Sequence, residues 1–211
     1  MIISDIQPQK KRKNRFSIYI DGKYAFSLDF NTLKKNILHV GDEITLKEID
    51  LLKKKDEFWR ARDYALSLIS YRMRSERELK QRLRHKGYAF STVGEVIVFL
   101  KRIGIVDDRK FAEDWVNSTL EHRPMGRFRV RFELRKRGVN DNIIDELCDK
   151  VFTEGKEEEL ILKASEKKLK SLRDYPPELR VKRLISFLKG RGFEYESIHR
   201  VTKEIFSEDS I

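Results

Sequence analysis

One cysteine in 211 residues, Cys148, leaves no possibility of an internal disulfide or a cysteine-rich zinc site. Long apolar runs are missing. The longest spans residues 96–100, far below the roughly 20 residues a membrane helix needs, so no membrane partner is expected. The first residues, Met1-Ile2-Ile3-Ser4-Asp5, carry no apolar stretch of the secretory kind, and a reducing, cytoplasmic location follows as the expectation. Catalytic signatures are also missing. The four histidines, His39, His85, His122 and His199, are widely separated, and none has the HExxH spacing of a zinc enzyme. No GxxxxGK[ST] or GxGxxG loop is there to cradle a phosphate, and no GxSxG elbow to present a serine. Asp107-Asp108 is the best acidic pair, but it precedes a helical stretch and reads as an N-cap. Glu157-Glu158-Glu159 opens another helix, where acids suit the dipole. Cys148 sits beside Leu147 on an anchored helix and reads as a packed thiol. The expectation is a protein with no enzymatic activity, no metal and no cofactor.

Positive charge is abundant: 46 Lys+Arg against 35 Asp+Glu give a net +11. The excess is uneven. Residues 1–58 carry net +3, residues 59–106 net +7, residues 107–153 zero, and residues 154–211 net +1. Even the neutral third segment hides a run in which Arg123, Arg127, Arg129, Arg131, Arg135, Lys136 and Arg137 meet one acid, Glu133. Two basic concentrations, near 72–86 and 123–137, point to an acidic partner unless they are solvated helix faces.

The N-terminal segment is strand-rich. Phe16, Ile18 and Ile20 alternate with polar residues, Asp21-Gly22 follows, and Tyr24, Phe26 and Leu28 alternate again. Period-two alternation places each trio on one strand face. Asp-Gly between them signals a hairpin through a type I′ turn, which requires positive φ at both central residues. Residues 29–35 read as a short helix capped by Asp29 or Asn31, residues 39–45 as a turn and a further strand, and residues 47–58 as helix. Lys10-Lys11-Arg12-Lys13 ahead of the hairpin is either a basic arm or an exposed loop.

Beyond residue 58 the chain repeats. Gly87, Gly138 and Gly192 each follow a basic residue and precede an apolar one. Eight and four residues before them stand Leu79 and Leu83, Val130 and Leu134, Leu184 and Leu188. Six, nine and thirteen residues after them stand Val93, Val96 and Leu100; Ile144, Leu147 and Val151; Ile198, Val201 and Ile205. Steps of three and four mark a single helix face, so each glycine terminates one anchored helix and precedes another. Ser75-Glu76-Arg77-Glu78 has capping-box form, and Pro176-Pro177 opens a helix in the third copy. A further helix precedes each pair, at residues 59–73, 108–121 and 156–172. Trp59 and Trp115 fall on these first helices as core or interface anchors. The expected fold is mainly all-α: three tandem three-helix repeats (59–106, 107–153, 154–211) after a small α+β module (1–58) with a β-hairpin. One repeat alone buries too little, so neighbours should share a core in an elongated, curved array.

Two basic stripes lie off the anchored faces. Arg77, Lys80 and Arg84 form one, and Arg127, Arg131 and Arg135 the other. Like charges at i, i+4 are mildly destabilising, so the second stripe is harder to explain by folding than by contact with a partner. Phe128 and Phe132 beside it read as a second packing face. With Arg72, Arg74 and Arg123, the stripe residues are the candidate contact set.

The stretch ARDYALSLISYRMRSERELKQRLRHKGY, residues 61–88, resembles the first repeat of the RecX family of recombination regulators, through Arg72, Ser75, Glu78, Leu79, Leu83 and Gly87. The second repeat is similar at Asp108, Phe111, Ala112, Gly126, Leu134 and Gly138, and the third at FLKGRGF, residues 187–193. The N-terminal module resembles an extension found in some members. The resemblance implies three tandem three-helix repeats and a protein that binds RecA recombinase; a monomer is expected. It would lie in the groove of the RecA–single-stranded DNA filament and suppress ATP hydrolysis, strand exchange and coprotease activity. The other reading of the same stripes is an autonomous DNA-binding helical-repeat protein.

Overall fold

The structure, a computed structural model, describes residues 1–10 and 12–208. Of the basic run at 10–13, Lys11 and the side chains of Arg12 and Lys13 lie outside the described residues. The chain divides into two compact units, residues 1–74 with 79–106, and residues 75–78 with 107–211.

In the first unit three antiparallel strands, β1 (Ile3–Gln9), β2 (Arg12–Ile20) and β3 (Lys23–Asp29), form one sheet in the order β1-β2-β3. The hairpin forms where expected. Asp21 and Gly22 both take positive φ, +47° and +78°, as a type I′ turn demands. Sequence alternation misses two features. The first is β1, whose Ile3 is buried opposite Ile20. The second is a register shift between Ile18 and Tyr19, where Phe26 pairs with Ile18 but Tyr24 pairs with Tyr19. The extra residue, Ala25, turns Tyr24 away from Phe26 and Leu28, so Tyr24 is exposed and meets the Tyr19 ring edge-on at 6.1 Å. The expected strand at 39–45 is an isolated bridge between Ile2 and Glu43, because Gly41 turns the chain at φ +99°. Helix α1 (Phe30–Lys35) is capped by the Asp29 carboxylate, which accepts from the Asn31 N–H.

Helix α2 (Leu46–Tyr71) runs unbroken for 26 residues. Thr45 and Glu48 close a capping box at its start, and no Gly or Pro interrupts it. Its first half sends Ile49 and Leu52 into the apolar cluster under the sheet, with Ile18 and Leu28. Its second half sends Ala61 and Ala65 into a different cluster, with Leu79 and Leu83 of α3 (Glu76–His85) and Val93, Val96 and Leu100 of α4 (Phe90–Arg102). One buried acid sits where the two halves meet. Asp56 is 2% exposed; it accepts from the Asp29 N–H at 2.6 Å and pairs with Arg15 at 3.2 Å and Arg60 at 2.9 Å.

The second unit holds the two remaining three-helix repeats: α5 (Asp108–His122), α6 (Arg127–Lys136) and α7 (Asp141–Val151), then α8 (Lys156–Lys170), α9 (Pro177–Gly190) and α10 (Tyr195–Glu208). These two share one continuous core from Phe111 to Val201. The first repeat has a cluster of its own. The expected sharing of a core therefore holds for the second and third repeats, while the first repeat's cluster is completed by α2. Of the fifteen aliphatic anchors all but Val151 and Ile205 are buried, and those two are partly buried against the shared core.

All three repeat glycines adopt left-handed φ: +94° at Gly87, +83° at Gly138 and +77° at Gly192. Each ends its helix in a Schellman motif. Tyr88, Val139 and Phe193 donate their N–H groups back to the carbonyls of Leu83, Leu134 and Leu188. Spatially the glycines differ. A Cβ on Gly87 would meet nothing within 4 Å; on Gly138 it would meet the stem of Arg77 at 2.3 Å; on Gly192 it would lie 2.5 Å from the Arg129 backbone N.

Candidate functional site

The joints around these glycines explain the family-like markers. Gly126 donates its N–H to the Arg191 carbonyl at 3.0 Å, and Phe128 donates to Gly192 at 3.2 Å, so the first turn of α6 is satisfied by the end of α9. Ser75 repeats the arrangement by side chain: its hydroxyl donates to the Arg137 carbonyl at 2.6 Å and accepts from the Glu78 N–H at 3.2 Å. Asp108 accepts from the Glu76 N–H at 2.8 Å, and Asp107 caps α5 by accepting from Arg109 and Lys110. The acidic pair thus orders helix starts, as its position suggests.

The second basic stripe looks different in the structure. Arg127, Arg131 and Arg135 on α6 face Asp149, Asp145 and Asp141 on α7, pair by pair; Arg131–Asp145 is 2.6 Å and Arg135–Asp141 is 2.5 Å. Two antiparallel helices with complementary i, i+4 spacing form a ladder of ion pairs. The ladder supplies the folding role that the stripe's own spacing made hard to see. Sequence inspection of α6 alone could not find it, because the aspartates lie beyond Gly138, yet their own four-residue spacing was the available signal. Glu133 joins the other two arginines of α6 and its end, accepting from Arg129 at 2.7 Å and Arg137 at 2.6 Å. Hydrogen bonding from Arg137 is the main cause that holds its carboxyl below the usual glutamate range. A carboxylate depressed in the folded state stabilises above its unfolded pKa, so this contribution is complete above about pH 5 and fades as pH falls through the folded value. Glu133→Gln should therefore narrow the acid-stability difference from wild type below about pH 4, measured by urea unfolding at stepped pH.

The same positions carry other chemistry in the other repeats. Counting from the glycine, Arg135 and Asp141 correspond to Arg84 and Phe90 in the first repeat, and to Lys189 and Tyr195 in the third. Arg84 stacks on Phe90 at 4.6 Å, and Lys189 lies over Tyr195 at 4.6 Å. A cation covers an aromatic ring where the second repeat has an ion pair. Arg82, Arg84 and Lys86 on and after α3 are exposed, and among the described residues none has a carboxylate within ion-pair distance.

The remaining candidates have local roles. Arg74 donates to the Leu68 carbonyl at 3.0 Å, closing the end of α2, and Arg72 donates to Met73. Arg77 is exposed at its head while its stem covers Gly138. Lys80 is half-buried. Arg123 follows α5, exposed, with no carboxylate partner among the described residues. Phe128 and Phe132 are 60% and 55% exposed, which overturns the second packing face. Val130 and Leu134 already fill the buried side of a ten-residue helix, and residues two positions away point opposite. Trp115 packs against the shared core under Arg137, whereas Trp59 is half-buried and covered by Lys35 at 3.8 Å and Arg62 at 4.2 Å.

Groups that could do chemistry are tied up. Burial pushes the Cys148 thiol up, away from thiolate reactivity. Glu159 pairs with Lys156 and Glu158 with Arg200. Glu157 is raised chiefly by burial, then by Glu194. Among the described residues no group of three His, Cys, Asp or Glu side chains could hold a metal ion, and no helix is long and apolar enough to cross a membrane.

Four family models cover the chain in the order of these elements: the regulatory protein RecX N-terminal domain at residues 1–45, and the RecX first, second and third three-helix domains at 61–100, 107–147 and 156–202. The chain belongs to the RecX family. It is 32% identical over 211 residues to the regulatory protein RecX of Clostridium acetobutylicum, covering 99% of this chain and 98% of that one. The regulatory protein RecX of Chlorobaculum tepidum is 36% identical over 153 residues, 71% of this chain and 91% of its own. A crystal structure of a regulatory protein RecX superposes with a TM-score of 0.75 at 28% identity, covering 96% and 98% of the two chains. The RecX of Lactobacillus salivarius shares the fold, with a TM-score of 0.63 at 22% identity, over 74% of this chain and 99% of that one. RecX membership gives the repeated glycines and serine a common reading: they are joint and cap residues of the three-helix domains.

Proposed function

We propose that this chain is a non-enzymatic regulator that binds RecA recombinase and its single-stranded DNA filament, lies in the filament groove, and inhibits ATPase, strand exchange and coprotease activity. The chain would act as a cytoplasmic monomer, with functional segments at 1–58, 59–106, 107–153 and 154–211. Family membership supports the regulatory part of this reading. The observation that carries the binding part is the exposed cationic end of α3, where among the described residues Arg82, Arg84 and Lys86 have no carboxylate within ion-pair distance, in contrast to the Arg–Asp ladder of α6 and α7. Such a surface is attracted to a polyanionic filament without any reacting group.

The test is a titration of single-stranded-DNA-dependent ATP hydrolysis by the cognate RecA. Inhibition at substoichiometric protein is expected, and an unchanged rate at equimolar protein would reject the reading. Reversal of Arg77, Lys80 and Arg84 to Glu should abolish inhibition. Reversal of Arg127, Arg131 and Arg135 sets glutamates against aspartates, so it must be combined with Asp141, Asp145 and Asp149 changed to Arg, which rebuilds the ladder with exchanged sign. Inhibition retained in that six-residue variant removes the second stripe from the contact set.

A further inference from the structure

Helices α3, α6 and α9 each close on a basic residue and a left-handed glycine, and two of these ends carry a guest. On the end of α6 the Ser75 hydroxyl donates to the Arg137 carbonyl at 2.6 Å, and the stem of Arg77 covers Gly138. On the end of α9 the Gly126 N–H donates to the Arg191 carbonyl at 3.0 Å, Phe128 donates to the Gly192 carbonyl, and the Arg129 backbone covers Gly192. Each guest is the start of a helix, entered through a small residue twelve positions before its own repeat glycine. The apolar residue after each covered glycine, Val139 or Phe193, is 4% exposed.

The end of α3 has the same Schellman geometry and, among the described residues, no guest. Lys86 and Gly87 are exposed, a Cβ on Gly87 would meet nothing within 4 Å, and Tyr88 is only half-buried. Among the described residues no backbone N–H donates to the Lys86 or Gly87 carbonyl, the counterparts of the acceptors on Arg191 and Gly192. The chain's own helix starts do not fill this end. Ser75 and Gly126 are engaged already. Twelve positions before Gly192 stands Arg180, inside α9, because that helix begins about a turn earlier, at Pro177 behind Pro176, and neither proline nitrogen has a hydrogen to donate. A second copy therefore brings no free start of this kind. A DNA backbone does not match either: the exposed groups are carbonyl oxygens, which need donors, and phosphodiesters supply only acceptors. Around them Arg82, Arg84 and Lys86 are exposed, and among the described residues none has a carboxylate within ion-pair distance. The positive pole of an incoming helix start would meet the negative pole at the end of α3, and acids in its first turn would meet these cations. Ser75, followed by Glu76 and Glu78 in the first turn of α3, is the chain's own example of such a start.

We infer that the Gly87 end of α3 is a docking seat for a helix start of a protein partner, one opened by a small residue and acidic in its first turn. On the regulatory reading above that partner is the recombinase, and Gly87 fixes how it is held: backbone against backbone, over a position that tolerates no side chain.

The decisive variant adds a side chain without adding charge. Asn is accepted at left-handed φ, so Gly87→Asn should keep the urea midpoint of the wild type while setting a Cβ where the incoming helix must lie. Association of the full chain with the cognate recombinase, free and assembled on single-stranded DNA, is read by biolayer interferometry. Gly87→Asn should weaken it roughly tenfold or more. Gly104→Asn is the control: Gly104 follows α4 at φ +72°, again with nothing within 4 Å of a Cβ, and the variant should bind as wild type does. Hydrogen exchange gives a second readout without any variant, since amides at 86–90 should gain protection in the wild-type complex. Either wild-type affinity in Gly87→Asn or unchanged exchange at 86–90 overturns the seat and leaves the regulatory reading standing. No association of the wild type with either form of the recombinase overturns both. Binding of labelled (dT)20 that is lost in Gly87→Asn while recombinase association persists also overturns the seat, and assigns the surface to a DNA strand.

Discussion

Alanine at Gly192 unfolds the second unit at markedly lower urea than alanine at Gly87 affects the first. Both glycines end a helix at left-handed φ, where any Cβ costs roughly 1–2 kcal/mol. Only at Gly192 does the new methyl also strike backbone, 2.5 Å from the Arg129 N. Relief requires α6 to move off the end of α9, breaking the Gly126–Arg191 and Phe128–Gly192 hydrogen bonds. Overpacking of that kind adds about 1–3 kcal/mol. Gly126→Ala, with ordinary φ but a Cβ 2.1 Å from the Gly192 carbonyl oxygen, isolates the steric part. The expected order of destabilisation is Gly192 above Gly87, with Gly126 also costly though its backbone is unstrained. Hydrogen exchange supplies the local check: the Gly126 and Phe128 amides should lose protection in both joint variants and keep it in Gly87→Ala. Equal urea midpoints for Gly87→Ala and Gly192→Ala would mean that the joint yields without cost.

Loss of the Asp56 carboxylate should be nearly as damaging in the first unit. Asp56 is almost fully buried and bonds the Asp29 backbone, Arg15 and Arg60 at once. Asp56→Ala leaves Arg15, itself largely covered, without its counter-charge, and breaking one side of a buried pair costs about 3–5 kcal/mol. Asp56→Asn keeps the shape and part of the hydrogen bonding, so it should fall between. Arg15→Met removes the stranded charge together with its partner's need for it, so Asp56→Leu with Arg15→Met should recover much of the loss if desolvation of an unpaired ion is the cause. Urea unfolding of the full chain, followed by tryptophan fluorescence for Trp59 near the Asp56 cluster, reads this directly. A change of less than about 1 kcal/mol in Asp56→Ala would show that solvent reaches the cluster and screens it.

The repeats were legible because each depends on local rules. Glycine spacing, aliphatic steps of three and four, and the Asp-Gly turn all act within a few residues of themselves. Gly87, Gly138 and Gly192 have the left-handed φ that their context predicts, and nearly all of the fifteen anchors are buried. Tyr24 shows where local rules stop. Alternation placed it with Phe26 and Leu28, but pairing with β2 inserted Ala25 as an extra residue and turned it outward. Phe128 and Phe132 fail for a similar reason, since hydrophobicity alone does not say which face a short helix buries.

The candidate site was less legible than the fold. The excess of positive charge is a property of composition and needs no coordinates. Which cations stay available depends on what stands across from them. Arg127, Arg131 and Arg135 are answered by aspartates on the following helix, whereas Arg123 and Arg191, 68 positions apart along the chain, line one cavity in which, among the described residues, neither has a carboxylate within ion-pair distance. By itself, then, the sequence determined helices, turns, the repeat and the sign of the charge, because those follow from backbone sterics and side-chain period. The tertiary structure alone decided which charges are neutralised, because Coulomb attraction depends on distance in space and the ladder partners stand on different helices brought side by side.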